Sequence, residues 1–231
     1  MNNNTQAIHH FQPADQLTAF SLAFGFLHKV FYEPPTAAFV TMLADDALFD
    51  DWPLGADNAQ TLAGLTLLQA FTSAWEADQL PALQHDFARL FVGPDRLAAP
   101  PWESVYLSQD GLLFEAQTLA VRDFYRRFDL RAPNFKHEPD DHIGLELAFM
   151  AHLNTLGLAA VGENNSLALE NSLDAQRDFL EEHLLRWAPQ FCQDVIAQAN
   201  TPFFRGTAHL TLGALESAAQ AAGATVGEAA V

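Results

Sequence analysis

The stretch LTAFSLAFGFLHKVF, Leu17 to Phe31, sets Leu17, Phe20, Phe24, Leu27 and Phe31 at steps of three and four residues. An α-helix turns once every ~3.6 residues, so these side chains share one stripe, and a stripe that large has to be buried. The same period repeats along the chain. Glu33-Pro34-Pro35 ends the first helix, and a second is predicted through Phe39, Val40, Leu43 and Leu48. A third is predicted from about Asn58 to Trp75. A fourth carries Leu80, Leu83, Phe87 and Leu90 and is stopped by Gly93 and Pro94. After the proline- and aromatic-rich connection PDRLAAPPWESVYLSQDG comes a helix from about Leu112 to Phe128. The link DLRAPNFKHEP then leads into a helix reaching about Gly157. Beyond VGENNS, closing helices run through Leu173, Leu180, Leu184 and Trp187 and from about Pro202. No run alternates as a strand would. The prediction is an all-α, single-domain helical bundle of about 8–10 helices over residues 13–215, with flexible tails at 1–12 and 216–231.

Composition bounds the function. A chain of 231 residues with 49% hydrophobic side chains can bury one substantial core. Its single cysteine, Cys192, excludes an intrachain disulfide and a cysteine-based zinc cluster, and suits a reducing cytoplasm. The apolar segment Ala19–Leu27 has no Lys or Arg before it and is too short to span a bilayer, so a soluble cytoplasmic protein is expected. A formal charge of −18 argues against nucleic acid, which needs clustered cations. Residues 1–88 hold ten Asp or Glu and one basic residue, Lys29. That stretch is either a solvated face or a field that attracts a cationic partner.

Chemistry concentrates in HEPDDHIGLELAFM, His137 to Met150. His137 and His142 are five apart; five residues turn a helix by about 500°, leaving the rings about 140° apart, which defeats a zinc-protease reading. His142 and Glu146 are four apart and could share a metal with a further histidine such as His85 or His152, and this hydrolase is the rival function. The structural alternative puts Pro139, Asp140 and Asp141 in the first helical turn, the acids beside its free N–H groups. There is no G-x-S-x-G elbow, phosphate loop or dinucleotide fingerprint, and no motif requires a cofactor.

EPDDHIGLELAFM resembles the signature of the TorD/DmsD family of chaperones that mature molybdenum-containing redox enzymes for twin-arginine (Tat) export. ARLFVGPDRLAAPPWESVYL, Ala88 to Leu107, resembles that family's helix-loop segment, especially in its DmsD branch, and FLEEHLLRWAPQFCQDVIAQANTPFFRGTAHLTL resembles its closing helices. The resemblance runs from about Leu17 to Leu215. It implies a non-enzymatic, cytoplasmic, all-helical chaperone; the family leaves room for a nucleotide or the molybdenum cofactor to bind, but no motif here requires either and no cofactor is predicted. The implied partners are the twin-arginine leader and catalytic subunit of a molybdoenzyme precursor, of dimethyl sulfoxide reductase type, with contact to the Tat machinery and neither nucleic acid binding nor membrane insertion. By position, the leader-binding residues it implies are Phe87, Leu90, Phe91, Pro101, Trp102, Pro139, Asp141 and His142. Phe87 departs from the pattern, relatives carrying tryptophan there. The chemistry suits such a peptide: Asp141 could accept charge-assisted bonds from an arginine, while Trp102, Phe91 and Leu90 could receive apolar side chains. In some members of the family helices exchange between subunits, for which the link Ala132–His137 would be the hinge.

Overall fold

In a computed structural model the described residues are 13–94, 96–108, 116–133 and 138–225. The expected tail 1–12, the helical start at Leu112, His137 and much of the Ala132–His137 link lie outside them. Ten α-helical segments are described: α1 Pro13–Tyr32, α2 Ala37–Asp45, α3 Ala59–Ser73, α4 Leu80–Phe87, α5 Glu103–Leu107, α6 Ala116–Arg126, α7 Ile143–Gly162, α8 Ser166–Phe179, α9 Leu185–Gln198 and α10 Pro202–Ala222. Two of them run on through π-helical turns, α4 into Ala88–Val92 and α8 through Leu180–Leu184 into α9. Among the described residues there is no strand, only one isolated antiparallel bridge.

The predicted stripe of α1 is buried as its spacing requires, with Leu17, Phe20, Phe24, Leu27 and Phe31 all in the interior. Its principal partner is α7, and α7 in turn packs on α8; α10 lies against α3 and α9. Polar side chains open three helices by taking a free N–H: Thr36 that of Phe39 at 3.2 Å, Asn58 that of Thr61 at 2.8 Å, and Asn165 that of Ala168 at 3.1 Å. One continuous aromatic core results, with Phe124, Phe179, Trp187, Phe191, Phe203 and Phe204 fully enclosed. α7 is apolar on all sides. By length and composition it could cross a membrane, yet 61% of its most apolar window is buried inside the bundle.

Several boundaries differ from those expected. α2 stops at Asp45 and excludes Leu48, because Ala47 adopts φ 47° and turns the chain. α6 ends at Arg126, short of Phe128, and Asp129 at φ 54° completes the turn. α7 passes through Gly157 to Gly162, because that glycine serves packing: a Cβ there would stand 2.8 Å from Ser172 Oγ. α10 reaches Ala222 with Ala218 buried, so residues 216–222 belong to the bundle and not to a tail. Pro139, Asp140 and Asp141 precede α7 and are not its first turn; the cap is His142.

Where α3 crosses α10 the backbones nearly touch. A Cβ on Gly64 would lie 2.7 Å from the carbonyl oxygen of Gly206, a backbone atom with no side-chain freedom to yield. Gly64→Ala is therefore expected to destabilise the protein by about 1–3 kcal/mol, outweighing the ~1 kcal/mol by which alanine favours a helix. Urea unfolding checks this, and an unchanged midpoint would show that the crossing can spread.

Candidate functional site

Two segments far apart in sequence, 101–104 and 138–143, meet as a short antiparallel bridge between Trp102 and His142. Glu103 N–H donates to Asp141 O at 3.0 Å and Ile143 N–H to Pro101 O at 2.8 Å. Neither segment is long enough to stand alone, and the side chains beneath explain why they stay. Asp141 is fully buried, with one carboxylate oxygen accepting from Ser104 N–H at 2.8 Å and the other from the Thr118 hydroxyl at 2.7 Å. Asp140, equally buried, receives Arg122 Nε and Nη2 on one oxygen at 3.0 and 2.6 Å, while its carbonyl accepts from Tyr125 OH at 3.1 Å. Burial pushes the Tyr125 hydroxyl far above its usual range, with Glu146 and Asp140 adding to the shift, so it remains a donor.

His142 caps α7. Its Nδ1 accepts Gly144 N–H at 3.0 Å, which leaves the ring proton on Nε2. Burial, and secondarily His28, pushes its pKa down to about 3, so it is neutral at physiological pH. The edges of Tyr32 and Trp102 close around it, with ring centroids at 5.3 and 5.9 Å. Glu138 lies at the rim with a quarter of its side chain exposed: one oxygen accepts from Tyr32 OH at 2.9 Å, and the other is 3.8 Å from His142 Nε2. The Trp102 ring is half-buried and its Nε1 has no partner.

Of the eight residues implied by sequence, Pro101, Trp102, Pro139, Asp141 and His142 are thus gathered at one edge. Phe87, Leu90 and Phe91 lie beneath it in the core, where Phe91 contacts Phe31, Phe87, Phe191 and Phe204 at centroid distances of 5.4–6.0 Å, the nearest being Phe87 at 5.4 Å. The two groups are joined through the backbone, since Ala99 N–H donates to Leu90 O at 3.2 Å. Sequence reasoning passed over Glu138 and Tyr32, although Glu138 opens the quoted signature; it is the carboxylate of this edge that solvent reaches.

The metal arrangement is not supported. His142 and Glu146 turn to different partners, the first to Gly144 N–H and the second to Trp187 Nε1–H at 3.1 Å. Among the described residues no group of three His, Cys, Asp or Glu side chains could hold an ion.

Comparison with known proteins fits this architecture. The sequence model of the nitrate reductase delta subunit family matches residues 55–193, from before α3 into α9. A Haemophilus influenzae protein named "Probable Tat proofreading chaperone DmsD" is 28% identical over 194 residues, covering 82% of this chain and 85% of its own length. The Tat proofreading chaperone DmsD of Salmonella typhi is 29% identical over 195 residues, covering 83% and 84%. The chaperone protein TorD of Vibrio cholerae is 36% identical over a shorter 111 residues, 48% of this chain and 49% of that one. With more than half its length matched by the family model, this chain belongs to the nitrate reductase delta subunit family, in the group of the TorD and DmsD chaperones.

Proposed function

We propose that this protein is a cytoplasmic chaperone that binds the twin-arginine leader of a molybdenum-containing redox enzyme, of dimethyl sulfoxide reductase type, and holds the precursor until its cofactor is in place. The observation that carries the reading is the edge itself: the half-buried Trp102 indole lies beside a neutral imidazole and the partly exposed carboxylate of Glu138, on a chain of charge −18. A leader offers the complement, two arginines followed by an apolar run. An aromatic anchor in a partly desolvated setting and a carboxylate within reach of a guanidinium recognise those two features separately. The names of the Tat proofreading relatives support the same reading.

The geometry favours a different division of roles. Asp141 has both oxygens engaged and His142 is a helix cap, so they shape the edge, and Glu138 is the acid placed to meet an arginine. Alanine at Asp141 or His142 would disturb packing as well as binding. Trp102→Ala is the better probe.

Calorimetric titration of synthetic twin-arginine leaders, each paired with a twin-lysine version, tests the proposal. One leader is expected to bind at micromolar or tighter affinity and its twin-lysine version more weakly. Trp102→Ala is expected to lose about thirtyfold or more, as truncation of an aromatic anchor does. Absence of binding by every leader, with the wild-type protein folded, would overturn the reading.

A further inference from the structure

Glu138, the acid that the leader-binding reading sets against an arginine, stands at a rim, where a glutamate side chain ordinarily samples many rotamers. Here one neighbour pins it. Tyr32, the last residue of α1, donates its hydroxyl proton to Glu138 Oε2 at 2.9 Å. Glu138 Oε1 lies 3.8 Å from His142 Nε2, too far for a hydrogen bond, so that oxygen keeps its capacity to accept. The Tyr32 ring is itself clamped: it stacks on His28 at a centroid distance of 5.4 Å and meets His142 edge to face at 5.3 Å.

The clamp depends on Gly144. Its N–H donates to His142 Nδ1 at 3.0 Å, its carbonyl accepts from His28 Nδ1 at 2.7 Å, and a Cβ on it would stand 2.8 Å from Tyr32 Cβ. That Tyr32 atom cannot yield without moving the α1 backbone, so glycine is what lets the end of α1 settle on the first turn of α7. The residue that leaves room for Tyr32 thus also holds the two imidazoles beside it. With its ring held on two sides, the tyrosine has one hydroxyl position to offer Glu138.

We infer that Tyr32 is a positioning residue for Glu138, and that by fixing the plane of this carboxylate it lets the site tell arginine from lysine. This role rests on the leader-binding reading. A guanidinium is a planar fork whose bonds to a carboxylate need a set orientation, whereas an ammonium is a compact charge that tolerates a turning one. Each carboxylate oxygen has two lone pairs, so Oε2 can hold Tyr32 and still share a guanidinium with Oε1. A glutamate already immobilised by Tyr32 gives up little freedom when the arginine arrives. Released from Tyr32, it carries the same charge but has to be ordered anew.

Calorimetry with Tyr32→Phe, which deletes one oxygen and keeps the ring, tests this on the paired leaders. The variant is expected to bind the twin-arginine leader about three- to tenfold more weakly, the range for one side chain that must be ordered on binding. Its affinity for the twin-lysine version is expected to change by less than about twofold, so the ratio between the two narrows. In a Glu138→Ala background the same substitution is expected to change neither affinity, because nothing remains to be positioned. Equal losses for both leaders, or a loss repeated in the absence of Glu138, would make Tyr32 a general packing residue and overturn the inference, as would unchanged affinity for both. A wild-type protein that binds no leader overturns the functional reading and this role with it, an outcome distinct from leader binding in which the arginine-to-lysine ratio stays fixed.

Discussion

Arg122→Ala is expected to lower the unfolding free energy by about 3–5 kcal/mol, the range for removing one partner of a buried ion pair. Arg122 reaches Asp140 with two nitrogens, and the carboxylate is 1% exposed, so alanine leaves a charge in the interior. The second Asp140 oxygen already has no hydrogen-bond partner, which leaves little reserve. Since Asp140 also anchors Tyr125 through its carbonyl, slackening there would reach α6 and the segment leading into α7. Urea unfolding followed by far-ultraviolet dichroism measures the loss. The double variant Arg122→Leu with Asp140→Leu should recover most of it, because an apolar pair removes the stranded charge along with its partner. A loss below about 1 kcal/mol in Arg122→Ala would place Asp140 in contact with water or another donor.

The second large effect is expected at Asp86, on the order of 3 kcal/mol for Asp86→Ala. This buried carboxylate joins the end of α4 to the α9–α10 junction. One oxygen accepts from Asn200 N–H, Thr201 N–H and the Thr201 hydroxyl at 2.9, 2.8 and 2.9 Å; the other accepts from Arg89 Nη2 at 2.9 Å. The Thr201 cap of α10 makes no side-chain bond to its own helix, so Asp86 supplies from outside what a local cap would have given. Hydrogen exchange at Asn200 and Thr201 is expected to quicken before the rest of α10 loosens. Uniform quickening across the protein would instead mean that the junction opens only with global unfolding.

The contrast between these two acids and the predicted site shows what a sequence displays. The spacing of Leu17, Phe20, Phe24, Leu27 and Phe31 identified a buried face because helical period is local. It could not say that the face meets α7. Phe87, Leu90 and Phe91 have the same spacing as any core stripe, and period alone does not separate a groove wall from an interior. Asp140 and Asp141 looked like helix-opening residues because acids beside a proline commonly are, yet their donors, Arg122, Thr118 and Ser104, come from segments well upstream. The bridge of Trp102 to His142 depends on two loops meeting, and neither loop encodes the other. The family signature, carried by Glu138 to Met150 and the Trp102 segment, brought those residues together in expectation before the fold gave the reason. Glu103 is singled out by no motif, and its partner His183 comes from a π-helical turn 80 residues later.

The pairing of α1 with α7 bears on how the chain is made. The ribosome releases α1 before α7, with its aromatic stripe uncovered, and more than a hundred residues must follow before Ile143–Gly162 emerges to cover it. Until then the nascent chain carries one of its stickiest surfaces unprotected, and when α7 does appear it is itself apolar enough to suit a bilayer. Such long-range closure slows folding and leaves an interval in which aggregation or membrane capture competes. On the proposed function, a protein that guards another's unfinished state passes through a vulnerable interval of its own during synthesis.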